Sequence, residues 1–193
     1  YSKFGYNDFV LPLGYKGEVI KDFFLNYKKF SNNFRLELGS GKVEFLNKNN
    51  EDWKITFIDT GDDTLTGERL LKIKKYIDGD NFLLTYGDGI SDINISSLVK
   101  FHKKNNKIIT MTAVRPNTRF GDVKISGNTI TSFKEKPQLN EGWINGGFFV
   151  INKKFLNLIK KNQMLEKEPL TIAVKKKELV AYKHNGFWYC IDS

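Results

Sequence analysis

Several short stretches of this chain gather residue types that handle anions and metals. Asn81 to Gly89 reads N-F-L-L-T-Y-G-D-G, an apolar run ending in Asp88 between two glycines. Phe82, Leu83 and Leu84 suit a central parallel strand buried on both faces. Gly87 and Gly89 suit backbone conformations closed to other residues, and they let a ligand approach the main chain. Ligands of open α/β sheets bind beyond the carboxyl ends of the strands, which makes Asp88 a candidate metal ligand. A tight turn with a turn-favouring Asp accounts for the same residues.

Asp59 to Leu70, D-T-G-D-D-T-L-T-G-E-R-L, joins a strand to a helix and is rich in hydroxyls, glycine and carboxylates. A helix N-terminus offers free amides to an anion, and Arg69 in the first turn can reach a base edge or a phosphate. The plain alternative is an acidic capped loop. Phe133 to Pro137, F-K-E-K-P, places Glu135 and Lys136 where Pro137 stops a strand. Lys136 can meet a phosphate as a point charge, or simply decorate a strand end. In Trp143 to Val150, W-I-N-G-G-F-F-V, Asn145, Gly146 and Gly147 can bring an amide and bare backbone against sugar hydroxyls, or form a hairpin turn. Gly186 to Asp192, G-F-W-Y-C-I-D, adds a second carboxylate, Asp192, after an aromatic strand. Only a fold that abuts their two strands pairs Asp192 with Asp88.

Other chemistries are disfavoured. His102 and His184 lack partners at zinc-ligand spacing. No G-x-S-x-G elbow and no Walker-type loop is present in these residues. Cys190, the single cysteine, excludes an internal disulfide, fits a reducing cytosol and reads as an apolar filler. No apolar run is long enough to span a bilayer, and the opening Y-S-K-F-G-Y-N-D is not a signal peptide. The expected setting is therefore cytoplasmic, with no membrane partner. The net charge is +9, yet lysine far outnumbers arginine and the lysine clusters are spread along the chain without a nucleic-acid module. We read them as solvated surface rather than a nucleic-acid site.

The elements that must position these residues follow from periodicity. Strands are predicted at Asn7 to Leu13, Trp53 to Ile58, Asn81 to Tyr86, Ile108 to Val114, Ile144 to Ile151 and Leu179 to Tyr182. Helices are predicted at Glu18 to Phe30, with Val19, Phe23, Phe24 and Tyr27 facing the core, and at Gly67 to Ile77, capped by Thr66. Further helices are expected at Ile95 to His102, Lys153 to Lys160 and Pro169 to Lys176. Hairpins are expected around Gly39-Ser40-Gly41 and around Gly127-Asn128. Strands alternating with helices argue for an α/β sheet with helices on both faces and small hairpin insertions.

Each motif is short, but their order is specific. D-T-G-D-D-T-L-T-G-E-R-L, T-Y-G-D-G, F-K-E-K-P, W-I-N-G-G-F-F-V and G-F-W-x-x-x-D, taken in sequence, resemble the sugar-phosphate nucleotidylyltransferases, and the first and fourth resemble their cytidylyl branch. The resemblance spans essentially all 193 residues. It implies a Rossmann-like nucleotidyltransferase domain that makes CDP-glucose and diphosphate from CTP and glucose 1-phosphate. It further implies Mg²⁺ held by Asp88 and Asp192, and nucleotide contacts from Thr64, Arg69 and Gly87. Glu135, Lys136, Asn145 and Gly146 would hold the sugar phosphate, with Asp88 and Lys136 as the catalytic pair. A homo-oligomer serving bacterial lipopolysaccharide O-antigen synthesis is implied too. The family's opening strand, its glycine-rich G-G-x-G-T-R loop and its closing helix are not among these residues. The expectation is thus one domain over 1–193, truncated at both ends and inactive by itself. A uridylyl- or thymidylyltransferase of the same family, or a non-catalytic domain of this fold, is the alternative.

Overall fold

The computed structural model describes residues 1–47, 51–116, 122–126, 128–134 and 142–191. The chain divides into two compact units, Tyr1–Ile77 with Lys161–Met164, and Asp78–Lys160 with Leu165–Ser193.

In the first unit, strand β1 (Asp8–Leu13) leads into helices α1 (Gly17–Leu25) and α2 (Tyr27–Ser31). The hairpin β2 (Phe34–Glu37) and β3 (Lys42–Phe45) follows, then β4 (Lys54–Asp59), which lies parallel to β1 with Leu13 opposite Asp59. Helix α3 (Thr66–Ile73) closes the unit and buries Leu70 and Ile73. The single helix expected over Glu18 to Phe30 is broken at Asn26, whose side chain donates back to the Asp22 carbonyl at 3.1 Å. That local bond competes with the helical ladder. Only part of the aromatic stripe turns inward. Phe24 packs on Phe57 and Tyr27 on Trp53, at ring separations of 5.5 and 5.7 Å. Val19 stays 59% exposed and Phe23 45% exposed, the latter stacked on Phe30. Thr66 is not the cap of α3: Leu65 occupies that position and makes no side-chain capping bond.

In the second unit, β5 (Asn81–Thr85), β6 (Gly89–Ser91), α4 (Ile95–Asn105) and β7 (Ile109–Val114) run in order. The hairpin β8 (Asp122–Ser126) and β9 (Thr129–Lys134) precedes the long strand β10 (Ile144–Asn152). Helix α5 (Glu168–Lys175), β11 (Leu179–His184) and β12 (Trp188–Cys190) complete it. The main sheet has the order β11-β7-β10-β5. β11 and β7 are parallel, while β10 is antiparallel to both β7 and β5. The core gathers around β10 and α4: Leu98, Ile109, Phe149 and Phe155 are fully excluded from water. The expected helix at Lys153 to Lys160 is a 3₁₀ helix, Lys153–Leu158.

β5 departs from its expected environment. It pairs antiparallel with β10, and among the described residues it ends the sheet order. Phe82, Leu83 and Leu84 are half-buried rather than covered on both faces. Unbroken apolar runs of this length do not by themselves tell a central parallel strand from an antiparallel one. The result is a mixed α/β fold with both anticipated hairpins. Among the described residues no helix is long and apolar enough to cross a membrane.

Candidate active site

In the second unit, β5 delivers Tyr86, the chain turns at Gly87 and Asp88, and β6 runs back against β12. Gly89 faces Cys190 across that pair, and one residue further the Ile191 amide donates to the main-chain oxygen of Asp88 at 2.8 Å. The fold therefore abuts β6, which begins one residue after Asp88, and β12, and the contact extends to Ile191. The Asp88 side chain is exposed to solvent on the turn. Asp192, Glu135 and Lys136 lie outside the described residues. Neither Gly87 nor Gly89 uses a left-handed backbone. Gly87 instead stands beside open space, while a Cβ at Gly89 would make ordinary contact with Phe148 at 3.6 Å. What the glycines supply is clearance at Gly87, not unusual backbone angles.

Asn145, Gly146 and Gly147 form no hairpin turn; they sit inside β10. The register against β7 runs Asn145 to Ala113 and then Phe149 to Met111, so β10 bulges between them. A bulge re-aims side chains at the rim of a sheet. Gly147 takes a φ of +77°, and a Cβ there would come within 2.7 Å of the Tyr86 ring; at Gly146 one would meet Val114 at 2.7 Å. These two glycines are required by space and backbone angle together. The Gly146 carbonyl accepts from the Trp188 indole at 2.8 Å, and the Tyr86 amide donates to the Gly147 carbonyl at 3.1 Å. The Asn145 side chain donates to the Tyr86 hydroxyl at 3.1 Å and accepts from the Gly147 amide at 2.9 Å. Tyr86 in turn donates to Glu166 at 2.7 Å. Burial first, then the Glu166 carboxylate, push the Tyr86 phenol well above its ordinary range, so it keeps its proton at neutral pH.

In the first unit, the loop after β4 is built around Thr60, which is buried and whose hydroxyl donates to the Leu13 carbonyl at 2.6 Å. Arg69 reaches back from the first turn of α3. One guanidinium nitrogen donates to the Leu13 carbonyl at 3.0 Å and to the Thr60 hydroxyl, the other to the Asp62 carbonyl at 3.0 Å. Gly14 makes room for it, because a Cβ there would collide with the guanidinium. Thr64 donates to the Thr60 carbonyl, and Lys72 closes the ring by donating to that same carbonyl at 2.7 Å and to the Thr64 hydroxyl at 3.0 Å.

Of the residues singled out in the sequence, Gly87, Asp88, Asn145 and Gly146 thus meet in the second unit, and Thr64 and Arg69 in the first. Sequence reasoning passed over Tyr86, Glu166, Thr60 and Lys72. Tyr86 lies within T-Y-G-D-G itself, and Lys72, one of many scattered lysines in the sequence, braces the loop. Among the described residues, no group of three or more His, Cys, Asp or Glu side chains stands ready to hold a metal ion. A pair of carboxylates is nonetheless a fitting donor set for Mg²⁺, which takes one or two from protein and the rest from phosphates and water.

The nucleotidyl transferase family model matches residues 39–190. The chain belongs to the nucleotidyl transferase family. It is 43% identical over 195 aligned positions to the Bacillus subtilis (strain 168) protein named "Probable glucose-1-phosphate cytidylyltransferase", covering all of this chain and 76% of that one. It is 40% identical, with the same coverage, to the glucose-1-phosphate cytidylyltransferase of Salmonella typhi. Among solved structures, HddC from Yersinia pseudotuberculosis superposes with a TM-score of 0.67 at 19% identity, over 98% of this chain and 75% of that one. The inositol-1-phosphate CTP transferase from T. maritima gives 0.62 at 18% identity, over 100% and 73%. These two likenesses bear on the fold alone, and the fold they share is that of nucleotidyltransferases.

Proposed function

We propose that this protein transfers a cytidylyl group from CTP to α-D-glucose 1-phosphate, giving CDP-glucose and diphosphate. The observation that carries the reading is the agreement along the whole chain with glucose-1-phosphate cytidylyltransferases at 40–43% identity. The match of one family model to 39–190, which includes residues of both units, supports treating them as a single nucleotidyltransferase domain.

In this reaction an oxygen of the sugar phosphate bonds to the α-phosphorus of CTP while the bond to the bridging oxygen of the β-phosphate breaks. Two anions must approach, so positioning and charge neutralisation do most of the work. We assign Asp88 and Asp192 to Mg²⁺, an assignment supported by the bond from Ile191 to Asp88. When bound, the ion offsets charge on the triphosphate and on the attacking and leaving oxygens. Thr64, Arg69 and Gly87 contact the nucleotide. Glu135, Asn145 and Gly146 hold the sugar phosphate, and Lys136 lowers the repulsion between the substrates, which grows as water is excluded. From the family resemblance we also propose a cytoplasmic homo-oligomer whose product enters bacterial surface polysaccharide.

The test is a competition of CTP, UTP and dTTP for glucose 1-phosphate on the full-length protein. The expected product is CDP-glucose; product drawn mainly from UTP or dTTP overturns the cytidylyl assignment.

A further inference from the structure

Three hydrogen bonds run in one direction through the second unit. The Gly147 amide donates to the Asn145 oxygen, the Asn145 nitrogen to the Tyr86 hydroxyl, and the Tyr86 hydroxyl to Glu166. The last bond sets the sense of the others. An ionised carboxylate only accepts, so the single phenolic proton points at Glu166 and the Tyr86 oxygen is left to accept. Asn145 must then turn its NH₂ toward Tyr86 and its oxygen toward Gly147. A primary amide has two donor hydrogens and two acceptor lone pairs. With one of each engaged, the remaining N–H and lone pair form an edge of fixed orientation. That edge complements a sugar hydroxyl, which donates and accepts at once.

The backbone holds this arrangement in place. Asn145 pairs with Ala113, and the register of β10 shifts directly after it, before Phe149 pairs with Met111. Gly147, at φ +77°, lets the Tyr86 ring pack against its Cα, and the ring also meets Phe149 edge-on at 5.8 Å. Tyr86 directly precedes Gly87 and Asp88, so one residue ties the acidic turn to the amide.

We propose that Tyr86, anchored by Glu166, is a positioning residue that fixes the Asn145 amide for recognition of the sugar hydroxyls of the acceptor. The proposal rests on the reading that Asn145 binds the sugar phosphate. It adds to that reading that acceptor affinity depends on a phenol and a carboxylate that need touch no substrate.

The experiment is a double-mutant cycle between Tyr86→Phe and Asn145→Ala in the full-length protein, with Glu166→Ala as a second perturbation of Tyr86. Glu166 is exposed, so that variant threatens the fold least. Affinities for glucose 1-phosphate and for CTP are read by calorimetry, so no turnover is needed. Tyr86→Phe and Glu166→Ala are each expected to weaken glucose 1-phosphate about ten-fold, the scale of one oriented hydrogen bond, while CTP affinity stays within about two-fold. In the Asn145→Ala background Tyr86→Phe should add almost nothing, since its effect passes through that amide. Fully additive effects, or equal losses for both substrates, overturn the proposal. If the wild-type protein binds a different sugar 1-phosphate, the reading of the acceptor fails. The same cycle run on that compound then decides Tyr86 separately.

Discussion

The main-chain amide of Ile191 donates to the main-chain oxygen of Asp88 at 2.8 Å. A backbone bond of this kind is indifferent to side-chain identity, so it locates the acidic turn without depending on its carboxylate. Asp88→Asn should therefore leave the fold intact. The side chain is exposed, and surface substitutions of this kind shift stability by only about ±0.5 kcal/mol. Turnover should fall on the order of 100- to 1000-fold, the range for removing one preorganised electrostatic group from a reacting centre. Melting temperature and steady-state rates on the same preparation check both halves. A variant with near wild-type turnover would remove Asp88 from the metal site.

Arg69 works as a brace among the described residues. It ties the end of β1 to the loop after β4 through the Leu13 carbonyl, the Thr60 hydroxyl and the Asp62 carbonyl. Lysine carries the charge but not the planar fork that spans several acceptors. Arg69→Lys should cost about 1–3 kcal/mol, the scale for leaving partly buried acceptors unpaired, and should raise the KM for CTP more than that for glucose 1-phosphate. Denaturant unfolding combined with the two KM values measures this. An unchanged unfolding midpoint would mean that the brace contributes nothing.

Much of the fold was legible because it rests on local patterns. β1, β4, β7 and β10 follow apolar or β-branched runs, and both hairpins follow glycine-bearing turns. The site was legible as an ordered set of motifs rather than as geometry. Asp88 and Asn145 could be named from T-Y-G-D-G and W-I-N-G-G. What local pattern could not supply was register. The pairing of Asn145 with Ala113, and the register shift between Asn145 and Phe149, depend on how β10 meets β7, a long-range property. Tyr86 carries no local signal for a related reason: its partners Asn145 and Glu166 are far away in sequence. Lys72 looked like one more surface lysine because its acceptors at Thr60 and Thr64 belong to a loop that precedes its helix.

His102 supplies a pH dependence independent of the reaction. It is 4% exposed, on α4, with Nδ1 at 2.9 Å from the Thr110 hydroxyl and Nε2 at 3.4 Å from the Asn81 side-chain oxygen. Burial lowers its pKa below the ordinary 6.5, because the cation would lose its hydration. Above that value both the folded and the unfolded chain hold a neutral imidazole, and His102 adds no pH dependence. As the pH falls through 6.5 toward the lower folded value, the unfolded chain takes up a proton that the fold resists, so stability declines. The expected result is a lower urea midpoint at pH 5.5 than at pH 7.5, with a smaller difference in His102→Gln, which keeps a polar side chain but cannot titrate. Equal differences in the two proteins would assign the acid sensitivity to other groups.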